Sequence, residues 1–467
     1  MTRLILSRLI IASVFAALAG AALAQPARVA PPSAAAINFS YAPIVKRVEP
    51  AVVNVYASRI EKRPPNPLFD DPLFRQFFGE GQSGDRVSQS LGSGVIVDPS
   101  GLVVTNNHVI KGMTNVKVAL SDRREFPAQI VLRDPRTDLA VLKIKGGSNF
   151  PVLQLGDSDS IQVGDLVLAI GDPFGVGQTV TQGIVSALAR TRIGASDYGF
   201  FIQTDAAINP GNSGGALVDM NAQLIGLNSE IYSRSGGSMG IGFAIPSNMV
   251  KVVVAAAKSG AHQVSRPWVG ASFQSVSRTI AESLGMSAPE GALVTQVHAG
   301  GPAAEAGVKR GDVILAVDGE PVEDPRGLGY RIATHPLGGA VKLLVFRNGQ
   351  KLDLSMKLER APEIPPRDPV AISGRNPFAG GTFWNLSPAV EDEMSLSGDD
   401  HGVVVAKVSP DSDAANVGLQ KGDIVLAVNG VRVQSTQDLR RAAEARERYW
   451  KLSIERGGQV LTSIVGG

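Results

Sequence analysis

An internal repeat in the C-terminal part of the chain limits the fold more than any other feature of the sequence. Residues 291–319 align with residues 402–430 at a constant offset of 111, without a gap. The identical positions are glycine, aspartate and small or apolar residues, and they include Val294/Val405, Val297/Val408, Ala303/Ala414, Ala304/Ala415, Gly307/Gly418, Gly311/Gly422, Asp312/Asp423, Leu315/Leu426, Ala316/Ala427 and Gly319/Gly430. Solenoid repeats have periods of about 20–50 residues, so this repeat predicts two copies of a small domain.

The remainder of the 467-residue chain leaves room for one more domain, at roughly 100–200 residues each. Residues 91–245 contain many short Val/Ile-rich runs between Asp-Pro, Gly-Asp and Asn-Ala turns. Such spacing is typical of β-barrels or a sandwich. The predicted domains are 38–260, 266–360 and 376–467, with 361–375 as a spacer rich in proline.

The N-terminus has the composition of an export signal. Arg3 and Arg8 are the only charges in residues 1–24, an apolar run follows, and Ala22-Leu23-Ala24 supplies small residues for cleavage. We therefore expect a signal peptide over 1–24, a flexible lead-in over 25–37 and an exported protein, which the family resemblance described below places in the periplasm. A retained membrane anchor is the alternative, which leaves association with the membrane surface open.

Composition excludes several classes of function. The chain has no cysteine, so a thiol nucleophile, disulfides and Cys-ligated metals are absent. The formal charge of +2 falls to zero once Arg3 and Arg8 are removed, which argues against nucleic-acid binding. Residues 61–88 combine prolines, glycines and six large apolar residues, and we interpret them as a contact loop over a partner or the active site, with partial disorder as the alternative.

Ser213 is the candidate nucleophile. It lies in Gly211-Asn212-Ser213-Gly214-Gly215, where glycines cost backbone entropy and so need a reason. A tight loop whose N–H groups point inward would stabilise the oxyanion formed when a serine attacks a carbonyl. A Gly-rich turn between two strands is the alternative reading.

The candidate base is His108, because it is the only one of five histidines that precedes residue 261. It follows an apolar strand, Leu102–Thr105. A buried carboxylate should fix its tautomer. By composition the candidates are Asp98, Asp122, Asp134, Asp138, Asp157, Asp165 and Asp172. Asp138 opens the apolar run 139–144, but the pattern leaves Asp134 open as well.

Three segments resemble the motifs of the HtrA/Deg family of serine endoproteases: Thr105–Val109, Thr137–Ile144 and Gly211–Gly215. The repeated module is similar to PDZ domains. The resemblance implies a mainly β fold, a chymotrypsin-like double β-barrel followed by two PDZ (α+β) domains. It implies Ser213 as nucleophile, His108 as base and Asp138 as orienting carboxylate, with the N–H groups of Gly211, Asn212 and Ser213 as oxyanion hole. It implies no cofactor and no metal.

The resemblance also implies partners and specificity. Ala207, six residues before Ser213, would lie at the floor of an S1 pocket for small aliphatic side chains. Loop 228–239 would wall that pocket, and loop 190–199 would be the sensor facing the first PDZ domain. Homotrimers or multiples of trimers are expected, with Phe39–Tyr41 as a candidate contact.

Peptide binding is expected in the first PDZ domain through Trp268, Val269, Gly270 and Ala271, with a groove helix near 324–334. Pro267-Trp268 stands where the family usually has Gly-Tyr. In the second PDZ domain, 377–381 is the equivalent loop, and peptide binding and assembly both remain open.

The expected function is that of an ATP-independent endopeptidase that degrades unfolded or misfolded exported polypeptides and binds C-terminal peptides through its PDZ domains. A chaperone or holdase with secondary proteolysis is the main alternative. A PDZ scaffold with a vestigial protease is a third reading, which the complete set of motif residues disfavours.

Overall fold

The computed structural model describes residues 40–61, 86–172, 177–190, 199–231, 239–396, 402–445 and 447–466. The predicted signal peptide and Phe39 lie outside these residues, as do most of the expected loops at 61–88, 190–199 and 228–239. Helix α1 (Ala42–Val48) and a 3₁₀ turn (Glu49–Ala51) begin the described chain. Within the described ranges, no helix has the length and apolar character needed to cross a bilayer.

Six antiparallel strands form a first closed barrel in the order β1-β2-β3-β6-β5-β4. They are β1 (Val52–Glu61), β2 (Arg86–Asp98), β3 (Leu102–Asn106), β4 (Asn115–Ala119), β5 (Glu125–Asp134) and β6 (Leu139–Ile144). One-turn helix α2 (Asn107–Ile110) follows β3. The interior is a single apolar cluster that includes Val55, Ile96, Val103 and Leu142. Alternate residues of each strand point into the barrel, and the β-branched side chains among them fill its interior.

A second closed barrel has the order β10-β11-β12-β9-β8-β7. Its strands are β7 (Leu166–Gly171), β8 (Thr179–Arg190), β9 (Phe201–Thr204), β10 (Ala216–Val218), β11 (Leu224–Ile231) and β12 (Gly242–Pro246). Helix α3 (Ser247–Lys258) follows the last strand of this barrel. The expected chymotrypsin-like double barrel is confirmed.

Two further sheets hold the repeated domains. The first contains β13 (Ala271–Ser275), α4 (Arg278–Leu284), β14 (Ala292–Val297), α5 (Pro302–Glu305), β15 (Val313–Val317), β16 (Glu320–Pro321), α6 (Pro325–Ala333), β17 (Ala340–Arg347) and β18 (Gln350–Lys357). The second contains β19 (Val370–Ala371), β20 (Gly381–Asn385), α7 (Pro388–Met394), β21 (Val403–Val408), α8 (Asp413–Asn416), β22 (Ile424–Val428), β23 (Val431–Arg432), α9 (Thr436–Glu444), β24 (Tyr449–Arg456) and β25 (Gln459–Gly466).

The repeat has a structural basis in a buried ion pair. Asp312 in the first copy and Asp423 in the second are each 1% exposed, and each accepts two hydrogen bonds from an arginine of the C-terminal hairpin. These bonds from Arg347 and Arg456 are all 2.6 Å long. A capping box formed by Ser435 and Asp438 begins α9 of the second copy.

The two sheets differ at one edge. The path β13-β14-β15-β17-β18 corresponds to β20-β21-β22-β24-β25, but the second sheet has β19 in addition, paired with β20. β19 comes from residues 361–375, which the sequence presents as a spacer. This segment therefore contributes backbone pairing to the second domain.

Candidate active site

The loop that carries Ser213 is fixed against the first barrel. Ser93 on β2 donates its backbone N–H to the Ser213 carbonyl (2.8 Å) and its hydroxyl to the Gly211 carbonyl (2.7 Å). Gly214 has a φ of +84°, and a Cβ there would lie 2.1 Å from the Ser93 carbonyl oxygen. Glycine is therefore required at this position by both conformation and space.

His108 and Asp138 meet at the end of the first barrel. One Asp138 carboxylate oxygen lies 2.6 Å from His108 Nδ1, and the other accepts the His108 backbone N–H at 2.9 Å. Asp138 has a φ of +57°, and its carbonyl accepts the backbone N–H of Asn107 at 2.9 Å. These contacts fix both the carboxylate and the imidazole ring, with the second ring nitrogen left for a reacting group.

Asp134, the alternative that the sequence left open, lies elsewhere. It forms a buried ion pair with Arg266 from the segment that joins the protease and first PDZ domains. Thr137 donates its hydroxyl to the same carboxylate (2.5 Å). Asp134 therefore anchors the interdomain segment, four residues before Asp138.

The other candidate aspartates have no contact with His108. Asp98 pairs with Lys258 (2.6 Å), and that bond together with bonds from Ser100 lowers the pKa of Asp98 well below its usual range. Asp172 is buried and accepts a bond from Asn54 (2.6 Å). Asp122, Asp157 and Asp165 accept bonds from main-chain N–H groups of neighbouring turn residues.

The Ser213 hydroxyl donates to the backbone carbonyl of Ser229, at 2.9 Å. A hydroxyl has one proton, so it must give up this bond before it donates to His108. The Ser229 hydroxyl in turn lies 3.4 Å from Asp138 and donates to its carboxylate. Sequence reasoning did not identify Ser229 as part of the site, and the acceptor it supplies is a main-chain atom that no side-chain pattern could indicate.

Two backbone N–H groups remain open beside Ser213. Within the described residues, those of Gly211 and Ser213 have no acceptor, and Gly211 has a φ of +97°. The Asn212 N–H differs, because it donates to the Asn209 carbonyl at 2.9 Å, and Asn212 is 1% exposed. The N–H groups of Gly211 and Ser213 are thus available to an acceptor, whereas the N–H of Asn212, which was also expected to contribute, is bonded within the loop. Ala207 lies nearby on the chain, its carbonyl held by Thr181 (2.8 Å).

The first PDZ domain has a groove at the loop where peptide binding is predicted. Its loop is held by bonds from Trp268 N–H to the Glu359 carbonyl, from His298 N–H to Gly270 and from Ala303 N–H to Val269, all 2.8–3.0 Å long. The N–H groups of Val269 and Gly270 have no acceptor among the described residues. Between this loop, β13 and α6 lies a cavity of about 750 Å³, with apolar lining from Val269, Ala271, Phe273, Leu328 and Ile332. Residues of the second PDZ domain, Pro388 and Glu391 among them, line the same cavity.

Helix α6 also contacts the protease domain. The Tyr330 ring stacks on Phe200 with centroids 3.9 Å apart and an angle of 3°, and burial raises the pKa of Tyr330. Arg331 pairs with Asp159 of the second barrel (2.8 Å) and with Glu320 (3.1 Å). One helix therefore borders the peptide groove and packs on the domain that holds Ser213.

Comparisons with known proteins agree with this geometry. Family models match a trypsin-like peptidase domain at residues 92–227 and a PDZ domain at both 267–358 and 404–448. The periplasmic serine endoprotease DegP of Escherichia coli is 38% identical over 449 residues, which cover 90% of this chain and 91% of that protein. The chain belongs to the HtrA/DegP family of serine endoproteases.

Other family members give the same result. A probable DegP-like periplasmic serine endoprotease of Brucella melitensis is 39% identical, over 91% of this chain and 88% of its own length. A solved structure of the HtrA-type protease AlgW with a decapeptide is 48% identical, with a TM-score of 0.53 over 69% of this chain and 99% of that one. As a member of the HtrA/DegP family, the chain is a serine endopeptidase.

Proposed function

We propose that this endopeptidase degrades unfolded exported polypeptides in the periplasm, without ATP, through Ser213, His108 and Asp138. The observation that carries the proposal is the 2.6 Å contact between Asp138 and His108 Nδ1, at a loop whose Gly211 and Ser213 N–H groups are open. The periplasmic names of the relatives and the predicted signal at 1–24 support the location. Trimeric assembly, expected from the resemblance, is part of the same proposal.

The chemistry follows from the contacts. His108 takes the Ser213 proton as Oγ attacks the substrate carbonyl, and Asp138 stabilises the imidazolium that results. The Gly211 and Ser213 N–H groups bind the oxyanion. His108 then protonates the leaving amine, and water releases the acyl group from Ser213 by the reverse sequence of proton transfers.

The described conformation is a resting one in this proposal, because the Ser213 proton is bound to the Ser229 carbonyl. Activation would break that bond, with loops 190–199 and 228–239 as the elements that change state. Helix α6 supports a link to peptide binding, since it borders the groove and contacts Phe200 and Asp159. Peptide binding would shift the population toward the active loop arrangement.

The test compares the mature chain with its Ser213→Ala variant on an unfolded casein-like protein, without ATP. Cleavage by the first alone is the expected result, because removing the nucleophile leaves at best about 10³–10⁴-fold acceleration over water. Equal cleavage by both would refute the assignment of Ser213. If neither cleaves, even with hydrophobic C-terminal peptides added, the holdase reading gains support, and protection of an unfolded protein by Ser213→Ala would test it.

Coupling needs its own experiment. Removing residues 267–360, which keeps Arg266 paired with Asp134, should leave basal cleavage of a short peptide measurable and abolish stimulation by added C-terminal peptides. Unchanged stimulation would refute the coupling without affecting the catalytic assignment.

A further inference from the structure

The peptide-binding edge of the second PDZ domain is occupied by the chain's own backbone. In the first domain, β13 pairs only with β14 among the described strands, and its other edge faces the cavity beside α6, with no strand added to it. In the second domain, the equivalent strand β20 pairs with β21 on one side and with β19 on the other. β19 belongs to residues 368–372, which we call the cis segment.

The cis segment has the backbone geometry of a PDZ ligand. PDZ domains bind an extended peptide by adding it to a sheet edge and cap its terminal carboxylate with backbone N–H groups. Here the added strand is antiparallel to β20, with Val370 opposite Phe383 and Ala371 opposite Thr382. At its end, the Ile372 carbonyl accepts the Gly380 N–H at 2.9 Å. Gly380 lies in 377–381, the loop predicted to bind a carboxylate.

Side chains of the cis segment occupy the groove as a ligand's would. Ile372 is 6% exposed and belongs to the apolar cluster that contains Leu439 and Ala443 of α9. Val370 packs against the same cluster. Four residues before Ile372, the Asp368 carboxylate accepts bonds from Thr436 Oγ1 (2.7 Å) and Gln437 Nε2 (2.8 Å) at the start of α9.

Room for a competing ligand lies beside Ile372. A cavity of about 640 Å³ begins there. Five of its lining residues are charged, three basic and two acidic: Arg375, Arg440, Arg448, Glu444 and Glu447. The basic side chains in this lining, Arg375 and Arg440 among them, suit a ligand with a terminal carboxylate, and Arg440 already interacts electrostatically with the Asp368 carboxylate of the cis segment.

We propose that the cis segment is an intramolecular pseudo-ligand that closes the second PDZ groove. The closed groove is a latent site for an extended peptide with a free terminal carboxylate, a β-branched apolar last residue and an acidic residue four positions earlier. Because a short tether gives an effective concentration of about 1 mM, a peptide at micromolar concentration cannot displace the segment. This inference is independent of the proposed catalytic residues.

The test uses the full chain with Ser213→Ala and a photoreactive, fluorescent peptide Arg-Asp-Pro-Val-Ala-Ile with a free carboxylate. A release variant combines Asp368→Ala with Ile372→Ser. Mass spectrometry assigns the cross-links to the first groove (268–273, 325–332) or the second (379–385, 436–443). We expect at least tenfold more labelling of the second groove in the release variant than in the parent, and at least tenfold less with the amidated peptide.

A disulfide provides the matched control, because the chain has no other cysteine. Ala371 and Thr382 lie directly opposite each other, so Ala371→Cys with Thr382→Cys should close the groove when oxidised. We expect oxidation to abolish second-groove labelling in the release variant and reduction to restore it. Equal labelling of the second groove in the parent and release chains, or labelling unaffected by oxidation, would overturn the proposal. Equal labelling by the amidated peptide would overturn the ligand class.

Hydrogen exchange in the parent chain tests the same point if the release variant does not fold. The N–H groups of Ile372, Gly380 and Asn385 bond across the cis segment, whereas that of Val405 bonds to Asp423 within the sheet. A displaceable segment opens without unfolding the domain. The amides of Ile372, Gly380 and Asn385 should therefore exchange at least tenfold faster than the amide of Val405. Exchange at the Val405 rate would show a fixed structural strand and refute the proposal.

Discussion

Replacing Arg266 with alanine tests how strongly the interdomain segment is held to the protease domain. The Arg266 side chain is 2% exposed and that of its partner Asp134 is 6% exposed. Removing one partner of a buried pair leaves an uncompensated charge and costs about 3–5 kcal/mol. After the replacement, the Thr137 hydroxyl still donates a hydrogen bond to the Asp134 carboxylate. A hydrogen bond to a charged group contributes about 1.5–3 kcal/mol, so this bond stabilises the unpaired carboxylate only in part.

Urea unfolding gives the measurement, with hydrogen exchange of barrel amides to follow the protease domain. With an m value of about 3 kcal/mol per M, a loss of 3–5 kcal/mol lowers the midpoint by about 1–1.7 M. The double variant Arg266→Met with Asp134→Leu removes both charges and should recover most of this shift, because apolar replacement of a buried pair is often neutral or stabilising.

Arg278→Ala is the matched control. Arg278 is 88% exposed and pairs with Glu282 one helical turn away, so its removal should shift stability by about 0.5 kcal/mol or less. A midpoint for Arg266→Ala that equals the Arg278→Ala midpoint would refute the reasoning. So would a double variant that is less stable than Arg266→Ala.

Three further outcomes follow from contacts described above. Gly214→Ala should lower kcat/KM at least 100-fold in a peptide-cleavage assay, because its Cβ would meet a carbonyl of the first barrel; a loss under threefold would show that the loop can adjust. The salt bridge with Lys258 lowers the pKa of Asp98 on folding, so its stabilisation is present above pH about 4 and is lost on further acidification. Asp98→Asn should therefore lower the unfolding midpoint at pH 7 and converge with the parent in acid, whereas a constant difference would exclude this linkage. Arg331→Ala removes the ion pair with Asp159 and should reduce peptide stimulation severalfold with basal cleavage retained; unchanged stimulation would show that this contact transmits nothing.

Local patterns sufficed for the short strands and the repeat, because alternating apolar residues and turn types are encoded within a few positions. They left a barrel and a sandwich equally open, and the double barrel was predicted from the family resemblance. The choice between Asp134 and Asp138 was beyond them, since both precede the same apolar strand. What separates the two residues is a non-local contact, Arg266 for one and His108 for the other. β19 escaped prediction for a similar reason: two paired residues in a proline-rich segment give no periodic signal.

The hydrogen bonds of Ser93 join the two barrels at the loop that carries Ser213. The Ser93 backbone N–H and hydroxyl bond to Ser213 and Gly211, and its hydroxyl also accepts the Asp172 N–H at 2.9 Å. The loop with Ser213 belongs to the second barrel, where the Gly214 N–H donates to the Asn228 carbonyl at 2.8 Å, and Ser93 bonds the same loop to β2, in the barrel that carries His108 and Asp138. Because both barrels hold the loop, a displacement of one barrel against the other strains hydrogen bonds next to the nucleophile.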